Sequence, residues 1–129
     1  MLGSILVIIA GGAMGALARF ATVGLMQRLL GFSYPYGTLV VNCLGSFLAG
    51  FIMVLIIERF AETEYWRLFL VVGFLGAYTT FSSFSWETWV LYQDGKTVAA
   101  LANVFCNNVG ALVMAFIGMH CGRFIGTLV

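Results

Sequence analysis

The sequence predicts an all-α integral membrane protein made of a single small domain, residues 1–129. Of its 129 residues, 62% are hydrophobic and only 9% are charged, and the mean hydropathy is +1.05. A soluble domain of this length would carry charge on about a quarter of its residues. Six Lys or Arg and five Asp or Glu cannot cover a globular surface with polar groups. This composition excludes a soluble enzyme, a nucleic-acid-binding domain with a basic face and a disordered chain.

The charged residues divide the chain into four apolar segments. Residues 1–18, 29–57, 68–86 and 97–122 contain no Asp, Glu, Lys or Arg. Because a bilayer core about 30 Å thick needs around 20 apolar helical residues, we predict four transmembrane helices. Their limits are 2–28, 36–60, 66–92 and 97–127. The connections are short: a Gly/Pro break at 31–37, a polar loop at 62–64 and a tight turn at 93–96.

Small residues recur at four-residue spacing in three of the predicted helices. The sets are Gly11 and Gly15, Ser46 and Gly50, and Gly118, Gly122 and Gly126. Such spacing lets helix backbones approach closely, which matters in lipid because apolar burial alone does not drive helix association there. Glycine is also common in membrane helices for other reasons, but the threefold repeat favours true helix–helix interfaces.

The basic residues are split evenly between the two sides of the predicted bundle. One side has Arg59, Arg67 and Arg123; the other has Arg28, Lys96 and, if its side chain extends that way, Arg19. Orientation in the membrane depends on an imbalance of Lys and Arg, so this chain is expected to insert both ways up. Two oppositely inserted copies would form an antiparallel homodimer with dual topology, the counterpart of the inverted repeats in larger transporters. A dimer would also enclose the polar space that four helices lack.

The third predicted helix carries five hydroxyl side chains within seven positions near its middle. They are Thr79, Thr80, Ser82, Ser83 and Ser85, and they follow Gly73 and Gly76. In one interpretation the hydroxyls bond to carbonyls four residues earlier and bend a continuous helix slightly. In the other the helix is broken, and its freed carbonyls line a cavity or bind a cation. The density of small and polar residues favours the break.

Aromatic and amide side chains in the spans are candidates for a polar pathway. Phe81 and Phe84 are three residues apart and share a helical face. The edge of an aromatic ring is electropositive, so it can attract an anion without a full charge. Asn103 and Asn107 also share a face, which fits either interhelical hydrogen bonding or a lined path, and Asn42 lies early in the second helix.

Charged, histidine and cysteine side chains give no sign of enzyme chemistry. Arg19 and Glu87 are the charges nearest the membrane interior, where we expect structural roles or a place at a vestibule. His120 has no second histidine or acidic residue at metal-ligand spacing. The three cysteines lack a CxxC pair and are expected to be reduced. Nucleophile-elbow, P-loop, HExxH and dinucleotide-binding motifs are absent from the sequence.

Several motifs resemble the Fluc (CrcB) fluoride ion channel family along essentially the whole chain. They are Gly-Thr-Leu-Val-Val-Asn at 37–42, Gly-Phe-Leu-Gly at 73–76, Thr-Thr-Phe-Ser-Ser-Phe-Ser at 79–85 followed by Glu87, Gly11-Gly12 with Arg19, and Asn-Asn-Val-Gly at 107–110. The Thr-Thr-Phe-Ser-x-Phe-Ser string is the most specific of them. Composition alone would not have indicated fluoride.

The resemblance implies a multi-pass protein of the cell (inner or plasma) membrane that exports cytoplasmic fluoride passively and so reduces its toxicity. It implies an antiparallel homodimer with two pores, each built from both subunits. It also implies a structural sodium ion at the dimer centre, held by the backbone carbonyls of Gly76 and Thr79. The fluoride pathway would include Asn42, Phe81, Ser82, Ser83, Phe84 and Asn107, and the vestibule or pore-adjacent residues would be Arg19, Glu87 and Asn103. The partners would be fluoride, a second copy of the chain and the lipid bilayer, without nucleic acid.

Three positions depart from the family pattern. Ala77 replaces a common second glycine, Asn103 stands where some members have an aromatic residue or histidine, and Ala111 stands where many have a pore serine. Two other functions remain open from the residues alone. A small dual-topology, proton-coupled multidrug exporter would need a membrane-embedded carboxylate, and the first helix has none. A non-transporting membrane protein would leave the hydroxyl cluster without a purpose.

Overall fold

A computed structural model describes residues 1–59 and 64–128 as helices joined by short turns. Helix α1 is Leu2–Leu30 and α2 is Tyr36–Arg59. Helix α3 runs through three consecutive stretches, Glu64–Trp66, Arg67–Leu75 and Gly76–Tyr78, and α4 is Phe81–Gln93. Helix α5 likewise comprises Thr97–Phe105, Cys106–Gly110 and Ala111–Leu128. No β-strand occurs in the described ranges.

Four helical segments are long and apolar enough to cross a bilayer. They are Leu2–Leu30, Tyr36–Ile56, Glu64–Gln93 and Thr97–Thr127, the third of which includes both α3 and α4. Large apolar side chains are exposed along each of them, for example Leu17, Phe20 and Phe116. Such a surface is suited to lipid rather than water. The prediction of an all-helical, multi-pass membrane protein is confirmed.

Glycine ends two of the helices where the sequence predicts connections. Gly31 has φ +81° and Gly95 has φ +75°, a left-handed conformation that favours glycine. The Gly31 N–H donates to the Gln27 carbonyl at 2.9 Å, which closes the last turn of α1. In the predicted polar loop, residues 62 and 63 lie outside the described residues, as does Phe60 at the predicted end of the second helix. Glu64 begins α3 rather than belonging to a loop.

Close glycine contacts hold the helices together in two pairs. Gly11 and Gly15 of α1 lie against the α3 backbone at Phe69 and Phe74, and a Cβ at either position would overlap a carbonyl oxygen. Gly118 of α5 lies against the Phe47 carbonyl of α2 in the same way. The interfaces predicted from the glycine spacing are therefore confirmed for α1 with α3 and for α2 with α5.

A matched pair of glycines in α1 tests this packing. Gly15→Ala is expected to destabilise the protein by about 1–3 kcal/mol, because the methyl group meets backbone that cannot swing aside. Gly24→Ala is the control, since nothing lies within 4 Å of the position of its Cβ. Thermal unfolding in detergent, followed by loss of the folded peak in size-exclusion chromatography, measures both variants. Equal stability of the two would contradict the packing assigned to Gly15.

Two stretches of helix, one in α3 and one in α5, are wound more loosely than an α-helix. Arg67–Leu75 in α3 and Cys106–Gly110 in α5 have π-helical hydrogen bonding, which shifts the side-chain register by about one residue and is frequent at functional sites. The second stretch carries Asn107, which is buried. The second stretch therefore places Asn107 and Asn108 beside α2, and the first contributes the apolar Val71 and Leu75 to the same region.

Candidate functional site

The backbone is extended at two residues between α3 and α4. Thr79 has φ −79° and ψ 156°, and Thr80 has φ −152° and ψ 119°. The Thr80 hydroxyl accepts a hydrogen bond from the Ser83 N–H at 3.2 Å, which makes Thr80 the N-cap of α4. Asn42 of α2 bonds to the same residue: its Oδ1 accepts from the Thr80 N–H at 2.9 Å, and its Nδ2 donates to the Thr80 carbonyl at 3.0 Å.

These bonds engage the donors that two carbonyls would have in a continuous helix. In an α-helix the Gly76 carbonyl accepts from the Thr80 N–H, and the Thr79 carbonyl accepts from the Ser83 N–H. Here the Thr80 N–H donates to Asn42, and the Ser83 N–H donates to the Thr80 hydroxyl. Gly76 is exposed and Thr79 is half-buried. Both carbonyls therefore lose their helical partners near the surface of the chain.

A cavity of about 580 Å³ lies beside the extended residues. It brings together six of the residues predicted from the sequence: Asn42, Gly76, Thr79, Phe81, Phe84 and Asn107. Its other lining residues include Gly45, Ser46, Asn108 and Ala111, and none of the residues that line it is charged. Side chains and backbone from α2, α3, α4 and α5 thus meet at one uncharged surface.

The two phenylalanines of the cavity differ in burial. Phe81 is 72% exposed, whereas Phe84 is only 6% exposed. Their ring centroids are 5.1 Å apart and the ring planes make an angle of 68°, so one ring presents its edge to the other. Phe84 is therefore part of the core, and Phe81 projects from the surface of the chain beside the cavity.

Hydroxyl groups cluster at the N-terminus of α4. The Thr80 hydroxyl donates to the Ser83 Oγ at 3.1 Å and lies 3.3 Å from the Ser82 Oγ. Ser82 is exposed and Ser83 is half-buried, but neither lines the cavity itself. The N-terminus of a helix carries partial positive charge. The first turn of α4 therefore offers an anion hydroxyl donors without any cationic side chain.

The amide side chains link α2, α4 and α5. Asn42 Nδ2 donates to Asn107 Oδ1 at 2.8 Å, and Asn107 Nδ2 donates to Asn103 Oδ1 at 2.9 Å. Asn107 is 6% exposed and Asn103 is 0% exposed. Asn103 lies behind the cavity wall rather than on it, and its Nδ2 donates to the Thr88 Oγ1 at 2.9 Å.

Glu87 and Arg19 lie away from the 580 Å³ cavity. Glu87 lines a second cavity of about 260 Å³ near the ends of α1 and α4. Its Oε1 accepts a hydrogen bond from the Thr38 hydroxyl at 2.6 Å, and its buried Oε2 has no hydrogen-bond partner among the described residues. Arg19 is half-buried on α1.

Three threonines make hydrogen bonds that sequence reasoning did not assign, although Thr80 was already singled out as part of the hydroxyl cluster. Thr38 binds Glu87, Thr80 caps α4, and Thr88 accepts from Asn103. Threonine is a common N-cap residue, whose hydroxyl accepts from a backbone N–H two or three residues later. The sequence therefore contained a local signal for the role of Thr80. The partners of Thr38 and Thr88 lie 49 and 15 residues away, and no local pattern reveals such pairs.

Side-chain metal ligation has no candidate in the described part of the chain. Among those residues, no group of three or more His, Cys, Asp or Glu could hold a metal ion. His120 is exposed, and its Nδ1 lies 2.8 Å from the Phe116 carbonyl of its own helix. Cys43, Cys106 and Cys121 are free and half-buried.

Comparison with known protein families gives a match that covers most of the chain, including the candidate site. Residues 6–119 match the family model described as CrcB-like protein, Camphor Resistance (CrcB). The chain belongs to the CrcB family. Residues 6–119 include every residue that lines the 580 Å³ cavity and all of the amide side chains.

Curated relatives of the chain in the CrcB family are named as ion channels rather than enzymes. The chain is 45% identical over 115 residues to the fluoride-specific ion channel FluC of Legionella pneumophila (strain Paris), a match that covers 89% of this chain and 86% of the relative. It is 43% identical over 124 residues to a protein of the same name from Dehalococcoides mccartyi (strain BAV1), covering 96% and 95%. It is 42% identical over 120 residues to another from Sulfurihydrogenibium sp., covering 93% and 97%.

Proposed function

We propose that this protein is a subunit of a fluoride-selective channel that lets fluoride leave the cytoplasm by passive permeation. The observation that carries the proposal is the uncharged cavity at the extended residues, in a chain whose relatives are named fluoride-specific ion channels. A small, strongly hydrated anion needs replacement donors when it leaves water. A full positive charge would supply them but would also hold the ion too tightly for rapid passage.

The proposed pathway uses hydroxyl and ring-edge contacts beside a wall of amide side chains. Ser82 and Ser83 at the start of α4 offer hydroxyl protons in the partial positive field of the helix N-terminus. Phe81 presents a large exposed ring next to the cavity, and its edge carries partial positive charge. Asn42 and Asn107 form the wall of the pathway on the α2 and α5 side, where their Nδ2 groups donate within the protein and hold Thr80 in place beside the hydroxyl cluster. Arg19, Glu87 and Asn103 act outside this pathway, as vestibule or supporting residues.

We propose that two copies assemble as an antiparallel homodimer with two pores. The even division of basic residues permits both orientations in the membrane. Support also comes from the cavity, which combines polar backbone and side-chain groups with the exposed Phe81 ring on the surface of a single protomer. Polar groups at membrane depth are tolerated only where protein or a water-filled cavity covers them. A second copy would close this surface and complete each pore.

The carbonyls of Gly76 and Thr79 suit a structural sodium ion at the dimer centre. Backbone carbonyl oxygens are ligands for hard cations, and these two have lost the N–H donors of a continuous helix. A two-fold axis beside them would bring four such oxygens together. The ion would neutralise the carbonyl dipoles and fix the extended residues of both protomers against each other.

A fluoride-electrode efflux assay tests the proposed function. Liposomes containing the purified protein are loaded with fluoride or with chloride, and the membrane potential is released with a potassium ionophore. Rapid efflux of fluoride without chloride is expected. Retention of fluoride by protein-containing liposomes would overturn the channel proposal. Proton-driven uptake of an organic cation that disappears in Glu87→Gln would instead identify an exporter.

Exchange of sodium for N-methylglucamine during purification tests the cation separately. Loss of fluoride efflux, and its recovery when sodium is returned, is the expected result. Unchanged efflux and an unchanged dimer after complete exchange would contradict the sodium site while leaving the channel proposal intact.

A further inference from the structure

A continuous series of hydrogen bonds runs from the wall of the cavity to the buried side of α4, through side chains of α2 and α5. It begins at the extended Thr80, passes through Asn42, Asn107 and Asn103, and ends at Thr88, whose hydroxyl donates to the Phe84 carbonyl at 2.8 Å. Asn42 and Asn107 line the cavity, whereas Asn103 is completely buried behind it. This series of hydrogen bonds therefore connects Asn42 and Asn107 on the proposed pathway to Asn103, which does not contact the cavity.

Backbone groups fix the direction of this series of hydrogen bonds at both ends. The Thr80 N–H can only donate, so Asn42 turns its Oδ1 toward it and its Nδ2 toward Asn107. Asn107 must then present its Oδ1 to Asn42 and its Nδ2 to Asn103. At the other end the Phe84 carbonyl can only accept, so Thr88 donates to it and accepts from Asn103.

Only one orientation of each amide satisfies both ends. A reversed Asn103 would place its Nδ2 against the Nδ2 of Asn107, with no acceptor between them. Asn107 also donates to the Asn103 backbone carbonyl at 3.1 Å, so both of its N–H groups are directed toward Asn103. The Thr80 backbone thus selects the orientation of Asn42 and, through it, of Asn107, and the Asn103 side chain stabilises that orientation by accepting one of the two Asn107 N–H groups.

We propose that Asn103 is a positioning residue for the fluoride pathway. It stabilises the orientation of the Asn107 amide that the Thr80 backbone requires through Asn42, and so supports the bonds that Asn42 makes to the extended Thr80. The expected effect of Asn103 on fluoride efflux rests on the proposed channel function. The orientation of the Asn42 and Asn107 amides does not depend on that function. This inference gives a distinct role to a buried residue that the sequence placed among the vestibule or pore-adjacent residues.

Selective labelling with ¹⁵N-asparagine makes the hydrogen-bonded asparagine amides directly observable by NMR. The sequence contains four asparagines, Asn42, Asn103, Asn107 and Asn108, so the side-chain amide region of the NMR spectrum holds four pairs of signals. Asn103→Leu removes one pair and is expected to shift or broaden the pairs of Asn107 and Asn42. The matched control is Asn108→Leu, because Asn108 is exposed and donates only to the Val104 carbonyl of its own helix. That control is expected to leave the signals of Asn42 and Asn107 in place.

Fluoride efflux provides the second measurement. Asn103→Leu is expected to lower the efflux rate about 10- to 100-fold, by analogy with the loss caused by removing a group that orients a metal-coordinating side chain. Thr88→Val keeps the side-chain shape, removes the acceptor for Asn103 and leaves α5 untouched, so it serves if Asn103→Leu fails to fold. Because both residues act through one series of hydrogen bonds, the double variant is expected to be no slower than Asn103→Leu alone.

The outcomes separate this inference from the proposed function. Unchanged Asn42 and Asn107 signals in folded Asn103→Leu or Thr88→Val protein would overturn the positioning role. Additive losses of efflux in the double variant would also overturn it, since independent packing defects add. Absence of fluoride efflux from the unmodified protein, with the amide signals shifting as expected, would contradict the proposed channel function. It would not contradict the role of Asn103 in orienting the amides.

Discussion

Replacement of Asn42 by aspartate is expected to reduce fluoride efflux from liposomes by roughly a thousandfold. The substitution keeps the shape of the side chain but places a negative charge on the wall of the cavity. Two unit charges about 4 Å apart in an effective dielectric constant of about 20 interact with about 4 kcal/mol, which corresponds to about three powers of ten in rate. An aspartate also cannot donate to the Thr80 carbonyl or to Asn107, both of which accept from Asn42.

Gln93→Glu is the control for this charge. Gln93 is exposed at the end of α4 and lines neither the 580 Å³ cavity nor the 260 Å³ cavity. It adds the same charge to the protein and is expected to leave efflux unchanged. Size-exclusion chromatography shows whether each variant keeps the assembly of the unmodified protein. Normal efflux through folded Asn42→Asp protein would remove Asn42 from the pathway.

Phe81→Ile is expected to lower fluoride efflux by roughly 10- to 100-fold with little change in stability. If the ring edge contributes what a hydrogen bond to a charged group does, about 1.5–3 kcal/mol, its loss has an effect of that size on the rate. Phe81 is 72% exposed on the surface of the chain, so its replacement does not open a cavity in the core. Phe84 is buried, and substitution there would combine a folding defect with any effect on permeation.

The matched variant is Phe124→Ile on α5. Phe124 is 67% exposed and does not line the 580 Å³ cavity, so it loses the same ring from an equally open position. Efflux through Phe124→Ile is expected to equal that of the unmodified protein. A similar loss in both variants would assign the effect to the apolar surface in general rather than to the ring edge of Phe81.

The span count could be predicted from the sequence because it depends on length and hydropathy alone. Runs without charge mark helices that lipid can surround, and glycines four apart mark where backbones meet. The hydroxyl cluster marks Thr79 and Thr80 as unusual for the same reason, since local composition is visible in a single sequence. These features need no knowledge of which helices are neighbours.

The partners of the polar side chains could not be predicted in this way. Asn42 and Thr80 are 38 residues apart, and only the packing of α2 against the third span brings them together. The spacing of Asn103 and Asn107 shows that they share a face, but it does not show what that face meets. In the structure it meets α2 and α4, so Asn103 is buried behind the cavity instead of lining it.

The paired bonds between Asn42 and Thr80 reproduce one rung of a β-ladder. An extended residue normally exchanges its N–H and C=O with a neighbouring strand, and here the carboxamide of Asn42 stands in for that strand. A helical protein thereby satisfies the backbone groups of one strand-like residue inside an apolar span without a neighbouring strand. Asparagine is the shortest side chain that carries both a donor and an acceptor on one planar group. No other side chain of the same length at position 42 is therefore expected to make both bonds to the extended Thr80.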